Sequence, residues 1–225
     1  MNKRILVVAA HPDDETLGCG GALAKFADAG ARCMILLLGG GLAARGVTDR
    51  GELSRIRRDA ASAGAVLGAE RVEVLDFPDN AMDAAPLLHI VQAVEAAIAT
   101  FEPDTVITHH AGDLNIDHGL ACRAVVTATR PFAGVCVREV WAFEVLSASE
   151  WGFGATGERF TPQIFVDVSG TLERKLQALR CYPSEMGAFP HPRSEEAVAA
   201  LARRRGAQSG FQAAEAFQLI RALRG

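Results

Sequence analysis

The sequence predicts an α/β fold: a Rossmann-like, mostly parallel sheet with helices on both faces. Three observations predict it. Short apolar runs recur along the chain, segments with helical apolar spacing separate them, and glycines and prolines mark the junctions. The first run, residues 5–9, is followed by a helical segment over 20–29 that Gly30 ends. Residues 33–38 form a second buried run and lead into Gly39-Gly40-Gly41, which reads as a flexible wall of a crevice. Residues 52–67 have helical periodicity and stop at Gly68, and a third strand over 72–75 runs into the turn Phe77-Pro78-Asp79-Asn80. Pro86 stands where a helix over 87–101 would open, and Pro103-Asp104 leads into a fourth strand over 105–108. A helix over 118–129 follows, then strands over 139–143 and 164–168. Strands of this length alternating with helices imply right-handed crossovers. Residues 147–161, rich in Gly, Ser and Thr, read as a mobile loop; a helix over 194–205 and the segment Ala214-Glu215-Ala216-Phe217 are expected to pack on the sheet edge.

At 225 residues, 49% hydrophobic and 22% charged, the chain suits one soluble domain over 1–225. Its metal site is expected from the loops after strands one and four, with residues 147–225 supplying a substrate-side loop and C-terminal elements. No apolar run approaches the roughly 18 residues of a membrane span. The opening residues resemble a signal peptide, but His11-Pro12-Asp13-Asp14-Glu15 follows the apolar part at once, so a buried strand is the better reading. Five scattered cysteines with no C-x-x-C pair fit a reducing cytoplasm. A net charge of −4 gives no reason to expect nucleic acid, and Arg203-Arg204-Arg205 reads as a solvated helix end. Apolar late helices leave room for a homo-oligomer.

In open α/β sheets, ligands bind beyond the carboxyl ends of the strands. Two segments put metal-ligating residue types there: residues 11–15 after strand one, and Asp113-Leu114-Asn115-Ile116-Asp117-His118 after strand four. His11, Asp14 and His118 supply two nitrogens and a carboxylate, the composition of a catalytic zinc site with an open position for water. Zinc brings the pKa of such a water towards roughly 7. Fe2+, Co2+ and Mn2+ suit the same donors. Side chains of successive residues diverge, so Asp13 faces the water as general base while Asp14 faces the ion. Asp117 fits a carboxylate that orients a histidine, or a helix N-cap. Phe189-Pro190-His191-Pro192-Arg193 is a rigid turn in which His191 is a candidate substrate contact, and Arg193 can pair with a phosphate or carboxylate on a substrate. A dinucleotide site fails on inspection, because Leu23 stands where Gly18-Cys19-Gly20-Gly21 would need its last glycine, and Leu38-Gly39 replaces the ribose-binding acid. Those glycines instead let the first helix approach the sheet.

His-Pro-Asp-Asp-Glu after an N-terminal strand, with Asp-His after a central one, resembles the LmbE-like or PIG-L family over roughly residues 4 to 130. The resemblance implies a zinc-dependent enzyme that removes an acetyl group from an N-acetylglucosaminyl compound, a small-molecule amino-sugar substrate. It implies His11, Asp14 and His118 as ligands, Asp13 as base, and Arg57, within Ile56-Arg57-Arg58-Asp59-Ala60, as a substrate contact. Many members carry His-x-Asp-His in the second motif, where this chain has Asn115. An amide can donate to an oxyanion but has no proton for a leaving amine. Asp13 is therefore expected to return its own proton, with His109 or His110 as the alternative acid if either reaches the site; His110 is also a candidate substrate contact. Two other readings are an amidase or deformylase acting on a thiol conjugate or other amide, and a non-catalytic metal- or sugar-binding module. A pure binder has no need of Asp13.

Overall fold

Every side chain from Ile5 to Ala10 is fully buried, and along this first strand successive residues point to opposite faces of the sheet. Ile5, Val7 and Ala9 enter one apolar cluster and Leu6 and Val8 another, so the strand must be covered on both sides. The computed structural model, which describes residues 3–40, 50–155 and 157–224 (without the side chains of Arg50 and Glu52), shows how. Strands β1 (Arg4–Ala9), β2 (Arg32–Gly39), β3 (Arg71–Phe77), β4 (Thr105–His109), β5 (Glu139–Phe143), β6 (Ile164–Asp167) and β7 (Ala214–Ala222) form one seven-stranded sheet in the order β3-β2-β1-β4-β5-β7-β6. The first five are parallel, while β7 pairs antiparallel with both β5 and β6. Helices α1 (Asp14–Asp28), α2 (Arg50–Leu67), α5 (Leu172–Leu179) and α6 (Glu195–Ser209) cover one face; α3 (Leu87–Phe101) and α4 (Ile116–Ala128) cover the other. No helix among the described residues is long and apolar enough to cross a membrane.

The expected alternation is present, with three differences. Residues 214–217 do not sit at the sheet edge: they open β7, an interior strand, and β6 is the edge. Residues 172–179, which the sequence reading left unassigned, form α5. The first helix begins at Asp14, six residues before the expected start, because it is two helical pieces joined across a non-helical Cys19 (φ −145°). The glycine-rich stretch that hid this start is needed for packing: a Cβ on Gly18 would lie 2.2 Å from the Phe143 side chain. Gly41, the third residue of the expected glycine wall, lies outside the described residues.

The break at Cys19 frees backbone N–H groups in mid-helix, and they are capped from the far end of the chain. Gly21 N and Ala22 N donate to the Glu215 carboxylate at 2.9 and 2.7 Å. Lys175 Nζ donates to the same carboxylate at 2.6 Å and to Leu17 O at 2.8 Å. Both charged side chains are about 5% exposed or less, so neither has water as an alternative partner. Removing one member of such a pair strands the other charge in the interior. Glu215→Ala is therefore expected to destabilise the fold by about 3–5 kcal/mol in a denaturant titration. Glu215→Gln, which keeps an acceptor for the helix N–H groups, is expected to lose less.

Candidate functional site

β1 has β2 on one side and β4 on the other, so the chain leaves its carboxyl end at the point where strand order reverses. The loop after β1 and the first turn of α1 carry residues 11–15, the loop after β4 and the first turn of α4 carry residues 110–118, and the two meet there. His11 Nδ1 lies 3.2 Å from Asp14 Oδ2, and His118 Nε2 lies 3.3 Å from the same oxygen. One donor atom from each of His11, Asp14 and His118 falls within 4.8 Å of the other two. Ligands about 2 Å from a shared tetrahedral ion stand roughly 3.3 Å apart, so these spacings fit one cation. His118 Nε2 is buried with no hydrogen-bond partner, and so is Asp14 Oδ1, the other oxygen of the same carboxylate. Buried polar atoms are rarely left so, and a buried imidazole nitrogen without a partner beside the Asp14 carboxylate suits an ion.

The far side of each imidazole is fixed by carboxylates. His118 Nδ1 donates to Asp113 Oδ2 at 2.9 Å. His11 Nε2 donates to Asp117 Oδ2 at 2.9 Å, with Asp79 Oδ1 at 3.1 Å. A proton held on those nitrogens leaves His11 Nδ1 and His118 Nε2 as lone-pair donors facing each other across Asp14. Asp117 also accepts from Met82 N at 3.0 Å. It thus meets His11 across the cleft rather than its neighbour His118, and it is not the helix cap. That place belongs to Asn115, whose Oδ1 accepts from Asp117 N at 2.9 Å. Burial works against a charge on His11, yet its hydrogen bonds to Asp117 and Asp14 carry the pKa up to about 10. The surrounding carboxylates demand positive charge at this point, from a proton or from an ion.

Asp13 sits in a strained backbone. Its φ of 103° lies where a side chain is rarely tolerated. The turn is held by Glu15, whose Oε2 accepts from Asp13 N at 3.0 Å and whose Oε1 accepts from Tyr182 Oη at 2.9 Å. Burial pushes the Asp13 carboxyl well above the usual carboxylate range, while Arg193 pulls it down and Asp14 adds to the rise. A carboxylate raised in this way is a stronger base than one in water.

The site opens into a cleft of about 180 Å³ whose walls include His11, Asp13, Asp79, Asn115, Tyr182 and Arg193. Arg193 Nη1 donates to Asp13 Oδ2 at 2.7 Å and its Nε donates to Ser147 Oγ at 2.9 Å. The guanidinium expected to meet an anionic group on a substrate is thus engaged by the protein's own carboxylate. Asn115 Nδ2 donates to Asn80 Oδ1 at 2.8 Å. The other expected contacts lie elsewhere. Arg57 points from α2 to Asp76 at 2.7 Å on the surface, and it is Ile56 and Asp59 of that helix that line the cleft. His191 is exposed in its turn and accepts from Arg193 N at 3.1 Å. The His110 ring lies within hydrogen-bond distance of Gln218 and Glu158, at 3.0 and 2.8 Å, and borders a different cavity. His109 is fully buried behind His118, stacked on it at 3.9 Å, with Nε2 accepting from Ala10 N at 2.8 Å. Sequence reasoning missed Asp79, Asp113, Glu15 and Tyr182. The first three had a local signal, since each is an acid in or beside a ligand-bearing loop or strand-end turn; Tyr182 had none.

Known proteins match this architecture. Diacetylchitobiose deacetylase of Thermococcus kodakarensis is 28% identical, the alignment covering 97% of this chain and 83% of that one. The uncharacterized deacetylase YaiS of Escherichia coli is 30% identical over 81% of this chain and 93% of its own. Among solved structures, the 4-carboxy-2-hydroxymuconate hydratase GalB of Pseudomonas putida KT2440 superposes with a TM-score of 0.80. It is 24% identical, over 99% of this chain and 98% of that one, a likeness of fold alone. The family PIG-L, GlcNAc-PI de-N-acetylase, matches residues 6–129, which hold all of the donor set and its supporting carboxylates. With more than half of its length matched, the chain belongs to the PIG-L family.

Proposed function

We propose that this chain is a metal-dependent hydrolase that removes the N-acetyl group from an N-acetylglucosamine-type amino sugar or its conjugate. The observation that carries the reading is the convergence of His11, Asp14 and His118 on one point, with the raised carboxyl of Asp13 lining the same cleft as His11. The family and the diacetylchitobiose deacetylase of Thermococcus kodakarensis support the substrate class. His11 Nδ1, Asp14 and His118 Nε2 would hold the ion, and Zn2+ is the choice that suits two imidazoles and a carboxylate, with Fe2+, Co2+ or Mn2+ able to replace it. When bound, the ion supplies positive charge that acidifies water and polarises a carbonyl. Asp13 takes the proton from the attacking water and returns it to the leaving amine nitrogen, since neither His109 nor His110 reaches the cleft. Asn115 uses one amide hydrogen on Asn80, and the second is the donor we assign to the developing oxyanion. Because Tyr182 and Arg193 line the same cleft as His11, we take residues 1–225 as one catalytic unit.

The test is metal analysis of the purified protein together with acetate release from N-acetylglucosamine, diacetylchitobiose and N-acetylglucosaminyl glycosides. A protein that binds no divalent ion, or one that binds it and frees no acetate from any of them, would overturn the reading. Asp113→Asn, which removes the charge behind His118 and leaves the ligands in place, is expected to weaken metal binding about 10–100-fold in a chelator competition.

A further inference from the structure

Arg193 reaches Asp13 from 180 residues along the chain, outside the segment matched by the family. Its position is fixed at the backbone: its own N donates to His191 Nδ1, and the next residue, Ser194, caps α6 through Oγ to Ala197 N at 3.1 Å. Its guanidinium is fixed a second time by Ser147 Oγ at 2.9 Å, on the loop after β5. Ser147 itself is held in the left-handed region (φ 74°), where its N donates to Glu150 Oε1 at 2.7 Å. The remaining bond, Nη1 to Asp13 Oδ2 at 2.7 Å, is short and joins a side chain 22% exposed to one 2% exposed. Asp13 Oδ2 accepts from Arg193 Nη1, and no hydrogen bond seen among the described residues goes to Asp13 Oδ1. A guanidinium can hold Ser147 and Asp13 together through two nitrogens at a fixed angle, which the single nitrogen of a lysine cannot do.

Resting on the reading of Asp13 as base, we propose that Arg193 is a positioning residue. Braced on Ser147, it clamps Asp13 Oδ2 and leaves Oδ1 as the one oxygen that meets the reacting water. Arg193 acts through Asp13 and not by holding substrate. A base displaced by about 1 Å can lose about 100-fold in rate.

The experiment is a double-mutant cycle on the metal-loaded protein, with crystal structures of the wild type and of Arg193→Ala. Arg193→Ala is expected to lower kcat about 100-fold with KM and metal content unchanged, and free guanidinium is expected to restore part of the loss. In an Asp13→Asn background the same change is expected to alter kcat by less than about two-fold, because the two residues work as a unit. The variant's crystal structure should show the Asp13 carboxylate rotated or in two conformers. A rise in KM at constant kcat, a loss that multiplies that of Asp13→Asn, or an Asp13 carboxylate unmoved in the variant would each overturn the proposal. Near-normal turnover by Asp13→Asn alone sinks the base assignment instead, and the crystallographic arm still decides whether Arg193 holds that carboxylate in place.

Discussion

Asp13→Asn is expected to lower the rate of acetate release by about 10²–10⁴-fold, the range that a positioned proton-transfer group contributes. The substitution is nearly isosteric and keeps a side chain that can accept from Arg193, so the fold and metal content should be preserved. What it removes is the capacity to take a proton. The carboxyl of Asp13 is pushed up by burial, with Arg193 opposing the rise. Activity in the wild type should therefore fall as pH drops through a value above the ordinary carboxylate pKa of about 4. That limb should be missing from the pH profile of Asp13→Asn. A variant with wild-type turnover and an unchanged acid limb would show that the proton goes elsewhere.

His118→Ala is expected to act at an earlier stage, by abolishing tight metal binding. The imidazole offers Nε2 to the centre and ties Nδ1 to Asp113, so its loss removes one of three donors and takes the hydrogen bond from Asp113, buried on the other side of the ring from Asp14. Both carboxylates are buried, and nothing in the truncated side chain compensates their charge. Metal content by elemental analysis should fall to background and activity with it. A second readout needs no substrate. A ligand that binds only the folded state stabilises it by about 2.7 kcal/mol at 100 times its dissociation constant. Zinc should raise the Tm of the wild type and of Asp13→Asn but leave that of His118→Ala where it was. The two variants thus separate a centre that is loaded but idle from one that cannot load.

Much of this could be read before any coordinates. His-Pro-Asp-Asp-Glu and Asp-His each follow a strand of the parallel part of the sheet, and the rule that parallel strands gather their loops at one end brings His11, Asp14 and His118 together. The strands themselves were legible because a strand covered on both faces is apolar throughout, as residues 33–38 are. Harder to see were the elements whose meaning depends on distant partners. Glu215 is an ordinary acid in sequence; only the pairing of β7 with β5 and β6 sets it under α1. Arg193 was visible as an unusual residue in a rigid turn, but its partner turned out to be Asp13, and no local pattern links positions 13 and 193. Arg57 shows how far a motif reaches without the helical rotation. The motif puts it on α2, and there Ile56 and Asp59 line the cleft while Arg57 pairs with Asp76.

The bond between α1 and Glu215 joins parts of the chain that leave the ribosome far apart in time. When residues 11–15 emerge during translation, the acid that will satisfy Gly21 and Ala22 has yet to be made, and so has the tyrosine that braces Glu15. A nascent chain can lay down β1, β2 and β4 early, but its kinked first helix waits for β7. Contacts of such long sequence separation are slow to form. Catalytic competence therefore lags behind the motif that names the family: the groups that set it in order, Tyr182 and Glu215, are translated 167 residues after Glu15 and 194 residues after Gly21.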